Sequence, residues 1–164
     1  PFSRHKALYI FKDAMREAAA RGERWGDFYD PIGEPVRRAL SLYPWAEDQG
    51  RAAEFISAFL HAAFAEGVNT GTDKGLRYVV EKAGLDWQQA VGHFDTPGWQ
   101  QALEENRQAM YGFNCWGVPS FRLLDAQGDT LLSCWGQDRL WLVAQTIQSV
   151  LKNKANTEGS NHVR

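Results

Sequence analysis

Two short segments near the C-terminus carry residues that are well placed to hold a small peptide ligand. The first is Gly117-Val118-Pro119. A residue before a proline is pushed into an extended conformation, so Val118 should present its backbone N–H and C=O groups for strand addition by a peptide. The second is Gly136-Gln137-Asp138-Arg139, which should begin a helix. The unpaired N–H groups of a helix start suit a carboxylate and Asp138 suits an ammonium, so an amino acid zwitterion would fit there.

A β-hairpin and a helix are predicted to position these two segments. Ser120 to Leu124 and Thr130 to Trp135 are short and apolar, and the five-residue loop Asp125-Ala126-Gln127-Gly128-Asp129 between them contains a glycine. Because cis bonds are commonly populated only before proline, and then in tight turns, we also predict a cis Val118–Pro119 bond. The helix after Gly136 is predicted from apolar residues at helical spacing: Leu140, Val143, Ala144, Ile147 and Leu151.

The rest of the chain is predicted to be mainly helical. Apolar periodicity with capping residues or glycines at the ends predicts helices over 3–21, 47–66, 72–83, 86–91 and 96–112. The segment Arg24 to Trp45 contains three prolines and is predicted to be a looping connection, in which Asp30-Pro31 could cap a short helix ending near Leu42. We therefore expect a helical region over 1–112, a ββα region over 113–152 and a disordered tail over 153–164.

The sequence GVPSF, followed by a hairpin and then WGQDRL, resembles the C-terminal part of the DsbA-like branch of the thioredoxin superfamily. The most similar members are 2-hydroxychromene-2-carboxylate isomerases and kappa-class glutathione transferases. Lys6-Ala7-Leu8-Tyr9 with Asp13, and the helical region ending Ala83-Gly84-Leu85-Asp86, resemble the helical insertion of these families. The likeness covers roughly Lys6 to Leu151 and implies an α/β fold, with a mostly helical insertion domain and the C-terminal ββα half of a thioredoxin-like fold.

The resemblance also implies a ligand and the residues that bind it. Val118 and Pro119 would form the cis-proline loop whose backbone pairs with the cysteinyl part of glutathione. Gln137 and Asp138 would hold its γ-glutamyl carboxylate and ammonium. In these families the reacting serine, or the first cysteine of a CxxC, follows a first strand, and this chain has neither that strand nor a CxxC. We therefore expect no catalytic residue in this chain. A lone hairpin is only marginally stable, so we expect it to be completed by a missing N-terminal βαβ unit, by a second copy in a homodimer, or by helices that pack over it.

Composition and charge argue against a protein that binds nucleic acid, a membrane or a metal ion. The net charge of −2, with both signs interspersed, gives no basic stripe for nucleic acid. No apolar stretch approaches the length that spans a bilayer, and no signal peptide is visible, so we expect a cytoplasmic protein that does not bind membranes. The four histidines lack metal-ligand spacing, and we expect no metal and a satisfied, partly buried His61.

Cysteines and tryptophans near the proposed site have more than one interpretation. Cys115 and Cys134 could form a redox pair, but we interpret both as structural free thiols. Trp116, Trp135 and Trp141 either line an aromatic substrate pocket or fill the core. Without the resemblance, Asp138 would be interpreted only as a carboxylate stabilised by the helix dipole.

Three functions remain open from the sequence. The first is a glutathione-dependent isomerase or kappa-type transferase, and the second is a DsbA-type thiol–disulfide oxidoreductase acting on a disulfide substrate. The third is a binding module that keeps the ligand-holding half and lacks the reactive half.

Overall fold

The computed structural model describes residues 3–94 and 96–160. The chain divides into two compact units, Pro1–Gln100 and Gln101–Arg164. The sequence predicts a boundary between a helical region and a ββα region after residue 112, and the structure divides the chain earlier than that. Most of the helix predicted over 96–112 therefore belongs to the same unit as the hairpin.

The first unit is built from five helices: α1 (Arg4–Ala20), α2 (Glu34–Asp48), α3 (Ala52–Ala65), α4 (Asp73–Lys82) and α5 (Trp87–Val91). Three of them begin where a side chain caps a free backbone N–H. Ser3 accepts from the N–H of Lys6 at 3.2 Å, and Thr72 accepts from the N–H of Gly75 at 3.1 Å. Asp86 accepts from the N–H of Gln89 at 2.9 Å. The caps explain why the helix starts at Ser3, Thr72 and Asp86 could be predicted closely.

The looping connection predicted over Arg24 to Trp45 is wrong from Glu34 onward, where α2 begins. The alternative of a helix in this segment is correct in kind, but α2 starts after Pro31 and runs past Leu42 to Asp48. Pro35 lies in the first turn, where a helix needs no N–H donor. Pro44 lies inside the helix, and the helix continues because Leu42, Trp45 and Ala46 beside it are buried and their packing outweighs the local cost of proline. The helix predicted over 47–66 is also divided, since α2 ends at Asp48 and Gly50 adopts a φ of 67°, which terminates a helix.

The core of this unit comes from one face each of α2 to α5. Its largest fully buried side chains are Leu42, Phe55, Leu76, Val79, Val80 and Thr70. Phe55 and Phe59 of α3 are buried in this core, whereas Phe64 of the same helix is only half-buried. Phe64 contacts the rings of Trp25 and Phe28, at centroid distances of 5.9 and 5.4 Å.

A charged network joins the end of α3 to α4. The Glu66 carboxylate accepts hydrogen bonds from Lys82 Nζ at 2.9 Å and Tyr78 Oη at 2.8 Å. His61 Nε2 lies 3.2 Å from the same carboxylate, which gives His61 the partner expected from the sequence. The hydrogen bond from Lys82, together with that from Tyr78, lowers the pKa of Glu66 although burial opposes this shift.

Replacing Glu66 by glutamine should lower the free energy of unfolding by about 1 kcal/mol near neutral pH, because Lys82 and Tyr78 lose a charged acceptor that is still partly solvated. The folded pKa of Glu66 lies below its ordinary value of 4.5, so its contribution is present above that value and is lost as the pH falls through the folded pKa. Urea unfolding of both proteins across this range should show the difference shrinking with acidification. Glu81 on α4 is exposed and forms no ion pair within residues 3–94 and 96–160, so Glu81→Gln supplies the control, and an equal effect of both substitutions would contradict the assignment.

The second unit contains most of α6 (Trp99–Gly112), followed by β1 (Ser120–Leu124), β2 (Thr130–Trp135), a 3-10 turn (Gln137–Arg139) and α7 (Leu140–Ser160). The predicted hairpin is confirmed: β1 and β2 pair antiparallel, from Ser120 opposite Trp135 to Leu123 opposite Leu132, with an irregularity between Leu123 and Leu124. Asp125 closes the loop by accepting from the N–H groups of Gln127 and Asp129 at 2.9 and 2.8 Å.

The tail expected to be disordered over 153–164 is helical as far as it is described. It continues α7 through Ser160, and residues 161–164 lie outside the described part of the chain. Helix propagation explains the difference, because each residue added to an existing helix forms one further hydrogen bond and needs no apolar periodicity of its own. The described residues thus form a mostly helical unit and a unit with the strand–strand–helix order that the sequence predicts.

Candidate functional site

The proline loop presents an open backbone edge. Val118 is 87% exposed, and its backbone makes no hydrogen bond to another residue in the described ranges. The Val118–Pro119 bond is cis, the isomer that the sequence predicts. Val118 therefore leaves both of its main-chain polar groups available to an incoming strand or peptide.

A single backbone hydrogen bond ties this loop to the start of the last helix. The N–H of Gly136 donates to the carbonyl of Pro119 at 3.0 Å, directly beyond the last strand pair, Ser120 opposite Trp135. Gly136 is followed at once by Gln137 and Asp138. The structure thus brings the two predicted segments together at the open end of the hairpin, and we call this site the clamp: Val118, Pro119, Gln137 and Asp138.

The helix start differs in detail from the predicted simple helix opening. Gln137–Arg139 forms a 3-10 turn, and α7 begins only at Leu140. The Asp138 side chain is 64% exposed, and its Oδ2 lies 2.6 Å from Nη1 of Arg139. Sequence reasoning missed this ion pair between neighbours, although the adjacent opposite charges were the available signal. An ammonium that reaches Asp138 must share the carboxylate with Arg139 or displace it.

Two tryptophans form an exposed aromatic pair beside the loop. The rings of Trp116 and Trp135 are 5.3 Å apart, and the side chains are 66% and 46% exposed. Gly117 lies under this pair, since a Cβ there would lie only 2.6 Å from Nε1 of Trp135. Trp141 is also exposed. The interpretation of these three residues as core fillers is therefore wrong for the described structure.

The other chemically capable side chains do not join the clamp into a reactive centre. Cys115 is buried and Cys134 is half-buried, and both are free thiols, as predicted. Within 3–94 and 96–160, no group of three or more His, Cys, Asp or Glu side chains could hold a metal ion. No helix of these ranges is long and apolar enough to cross a membrane. What the arrangement offers is binding: a backbone edge, a carboxylate and an aromatic surface.

Comparison with known proteins identifies the family and the fold of the chain. Residues 4–148 match the DSBA-like thioredoxin domain family. A solved structure of selenomethionine 2-hydroxychromene-2-carboxylate isomerase is similar, with a TM-score of 0.71 and 21% sequence identity. That match covers 94% of this chain and 71% of the isomerase chain. No curated protein matches the chain significantly. The match over 4–148 identifies the family, whereas at this identity the similar structure shows the fold alone.

Proposed function

The chain belongs to the DSBA-like thioredoxin domain family, and we propose that it is the glutathione-holding part of an enzyme of the 2-hydroxychromene-2-carboxylate isomerase or kappa glutathione transferase type. The single observation that carries the proposal is the hydrogen bond between Gly136 and Pro119. It keeps an exposed backbone edge beside an exposed carboxylate, which are the two features that a short zwitterionic peptide can engage together.

The backbone of Val118 supports the first contact. Glutathione contains an extended cysteinyl residue whose N–H and C=O groups can pair with a free strand edge, as in strand addition. Val118 offers such an edge because the residue is exposed and its main chain makes no hydrogen bond to the other described residues. The side chain of Val118 is not needed for this pairing, so the contact depends only on the peptide backbone of the ligand.

Asp138 supports the second contact. The γ-glutamyl end of glutathione carries an ammonium and a carboxylate, and the ammonium suits Asp138. Gln137, at the start of the 3-10 turn, would receive the γ-glutamyl carboxylate together with backbone N–H groups. Arg139 pairs with Asp138 in the structure and can turn to the γ-glutamyl carboxylate of the ligand. The ligand ammonium then takes the place of Arg139 beside Asp138, so every charge remains paired when glutathione binds.

The chemistry would follow from the bound thiol. In the proposed reaction a serine near a helix N-terminus stabilises the glutathione thiolate. The thiolate adds to one carbon of a conjugated double bond in a small aromatic-derived substrate, and the π electron pair of that bond moves onto the conjugated acceptor. The former double bond is now single and can rotate. Return of the electron pair re-forms the double bond, expels the thiolate and gives the isomer. We propose that this serine lies on a βαβ unit outside the present chain.

The exposed apolar surface of the second unit supports such a partner. Leu124, Leu131, Ile147 and Leu151 are 40 to 60% exposed, and a two-stranded sheet alone is marginally stable. Further strands, from that βαβ unit or from a second copy in a homodimer, would cover them. We also propose a cytoplasmic location, where reduced glutathione is available and free thiols such as Cys115 and Cys134 persist.

A thiol–disulfide oxidoreductase is the second candidate, favoured by the same open edge at Val118, which can hold a substrate peptide as readily as glutathione. Asp138 separates the two candidates, because a peptide held only through its backbone does not need a carboxylate at the helix start. A binding module without chemistry would retain the affinity for glutathione.

Replacing Asp138 by alanine should weaken glutathione binding about tenfold, because one charge-assisted hydrogen bond at a solvent-exposed site is lost. Isothermal titration calorimetry with reduced glutathione measures this directly. The matched control is Asp129→Ala, since Asp129 is an exposed carboxylate in the hairpin loop, at the opposite end of the strands from the clamp. Unchanged affinity in Asp138→Ala, or an equal loss in both variants, would refute the proposal.

A further inference from the structure

A pocket in the first unit lies apart from the clamp residues in sequence and has no role in the proposed function. It has a volume of about 440 Å³ and is lined by Glu34, Arg37, Arg38, Ser41, Phe94 and Trp99. The first four residues come from α2, while Phe94 and Trp99 follow α5. The pocket therefore combines charged side chains from one helix with two aromatic side chains.

One wall of this pocket is fixed by Arg38. Its guanidinium donates to the Asp73 carboxylate at 2.5 Å and to the carbonyl of Gly71 at 2.9 Å. It also lies over the Phe94 ring, 4.9 Å from the ring centroid. These three contacts satisfy Arg38 and hold one face of Phe94. Arg38 therefore shapes the pocket, and its charge is already matched by Asp73.

Glu34 and Arg37 differ from comparable pairs elsewhere in the chain. An acidic residue three positions before an arginine forms an ion pair in α1, between Asp13 and Arg16, and in α6, between Glu104 and Arg107. Glu34 and Arg37 have the same order and spacing on α2, yet neither forms an ion pair with any residue of the described ranges. Both instead line the pocket.

We propose that this pocket binds a free α-amino acid with an apolar, preferably aromatic, side chain. The ammonium of the ligand pairs with Glu34 and its carboxylate with Arg37, so the ligand supplies the charge partner that each lacks. Arginine suits this role because its planar fork matches a carboxylate. The side chain of the ligand packs against Trp99 and Phe94, which are half-buried and offer apolar surface. The two opposite charges select a zwitterion over a simple anion or cation.

Three probes that share the phenylethyl group test this selection: L-phenylalanine, 3-phenylpropionate without the ammonium, and 2-phenylethylamine without the carboxylate. Binding to the whole chain is followed by calorimetry and by tryptophan fluorescence, to which Trp99 contributes. Phenylalanine should bind about fivefold more tightly than either analogue, the effect of one exposed charge pair. Arg37→Gln should remove the preference over 2-phenylethylamine, and Glu34→Gln should remove the preference over 3-phenylpropionate.

Arg24→Gln serves as the control, since Arg24 is an exposed arginine of the same unit outside the pocket, and it should leave all three affinities unchanged. Circular dichroism verifies that each variant is folded. Equal affinity for the three probes in the wild-type chain, no detectable binding of phenylalanine, or equal losses in Arg37→Gln and Arg24→Gln would overturn the proposal. Glutathione affinity should be the same in Arg37→Gln and wild type, so the result is independent of the clamp.

Discussion

Replacing Phe55 by alanine is expected to lower the free energy of unfolding by about 3–5 kcal/mol. Phe55 is completely buried in the cluster formed by α2 to α5, and its removal leaves a cavity that neighbouring side chains fill only in part. A domain of ordinary stability has about 5–15 kcal/mol in total, so this loss would leave the helical unit close to unfolding at ambient temperature. Urea denaturation followed by circular dichroism measures the change.

Leu60→Ala is the matched control for this substitution. Leu60 lies on the same helix, and 48% of its side chain is exposed, so its truncation should change the free energy of unfolding by less than about 0.5 kcal/mol. Comparable losses in the two variants would mean that the face of α3 bearing Phe55 is not the one that forms the core.

Gly75→Ala is expected to lower the free energy of unfolding by up to about 3 kcal/mol, although alanine is the better helix former. Gly75 lies in the first turn of α4, where its N–H donates to the capping hydroxyl of Thr72. A Cβ at this position would overlap the carbonyl oxygen of Asn69, which is backbone and cannot move aside without shifting the loop before the helix. Thermal and urea unfolding should both show the loss.

The opposite sign is expected at Gly112, which lies at the end of α6. A Cβ there would meet no atom within 4 Å, so Gly112→Ala should keep the stability or raise it by up to about 1 kcal/mol. Because the two glycines lie in different units, each variant is compared with wild type over the transition of its own unit. A stable Gly75→Ala protein would show that the helix start can move away from Asn69.

Local chemistry made much of the fold predictable. The helix starts at Thr72 and Asp86 carry capping side chains that act within three residues. The hairpin loop carries a glycine at a φ of 90° and an aspartate that accepts from its own turn. These signals act between residues that are close along the chain, so they can be recognised from the sequence alone. The path of α2 depends on burial of Leu42 and Trp45 by other helices, which outweighs the prolines and is invisible locally.

The candidate site was likewise predictable only where it depends on local sequence. The cis bond at Val118–Pro119 and the turn at Gly136 depend on a proline and a glycine, and the hairpin between them places the two segments at one end of the strands. The pairing of Asp138 with Arg139 and the exposure of Trp116 depend on side-chain placement, which periodicity does not encode. The pocket of Glu34 and Arg37 was not predicted, because it needs Phe94 and Trp99 from a distant part of the chain to lie against α2.

The irregular pairing at Leu123 and Leu124 lies at the far end of the hairpin from Pro119 and Gly136. A change in the number of residues between Leu124 and Thr130 can be absorbed there, as an altered bulge, while Ser120 stays opposite Trp135. The loop of the hairpin can therefore vary in length among related chains, or carry an inserted label, without moving Pro119 and Gly136 at the open end. The two strands therefore separate the end that carries the clamp from an end whose length can change.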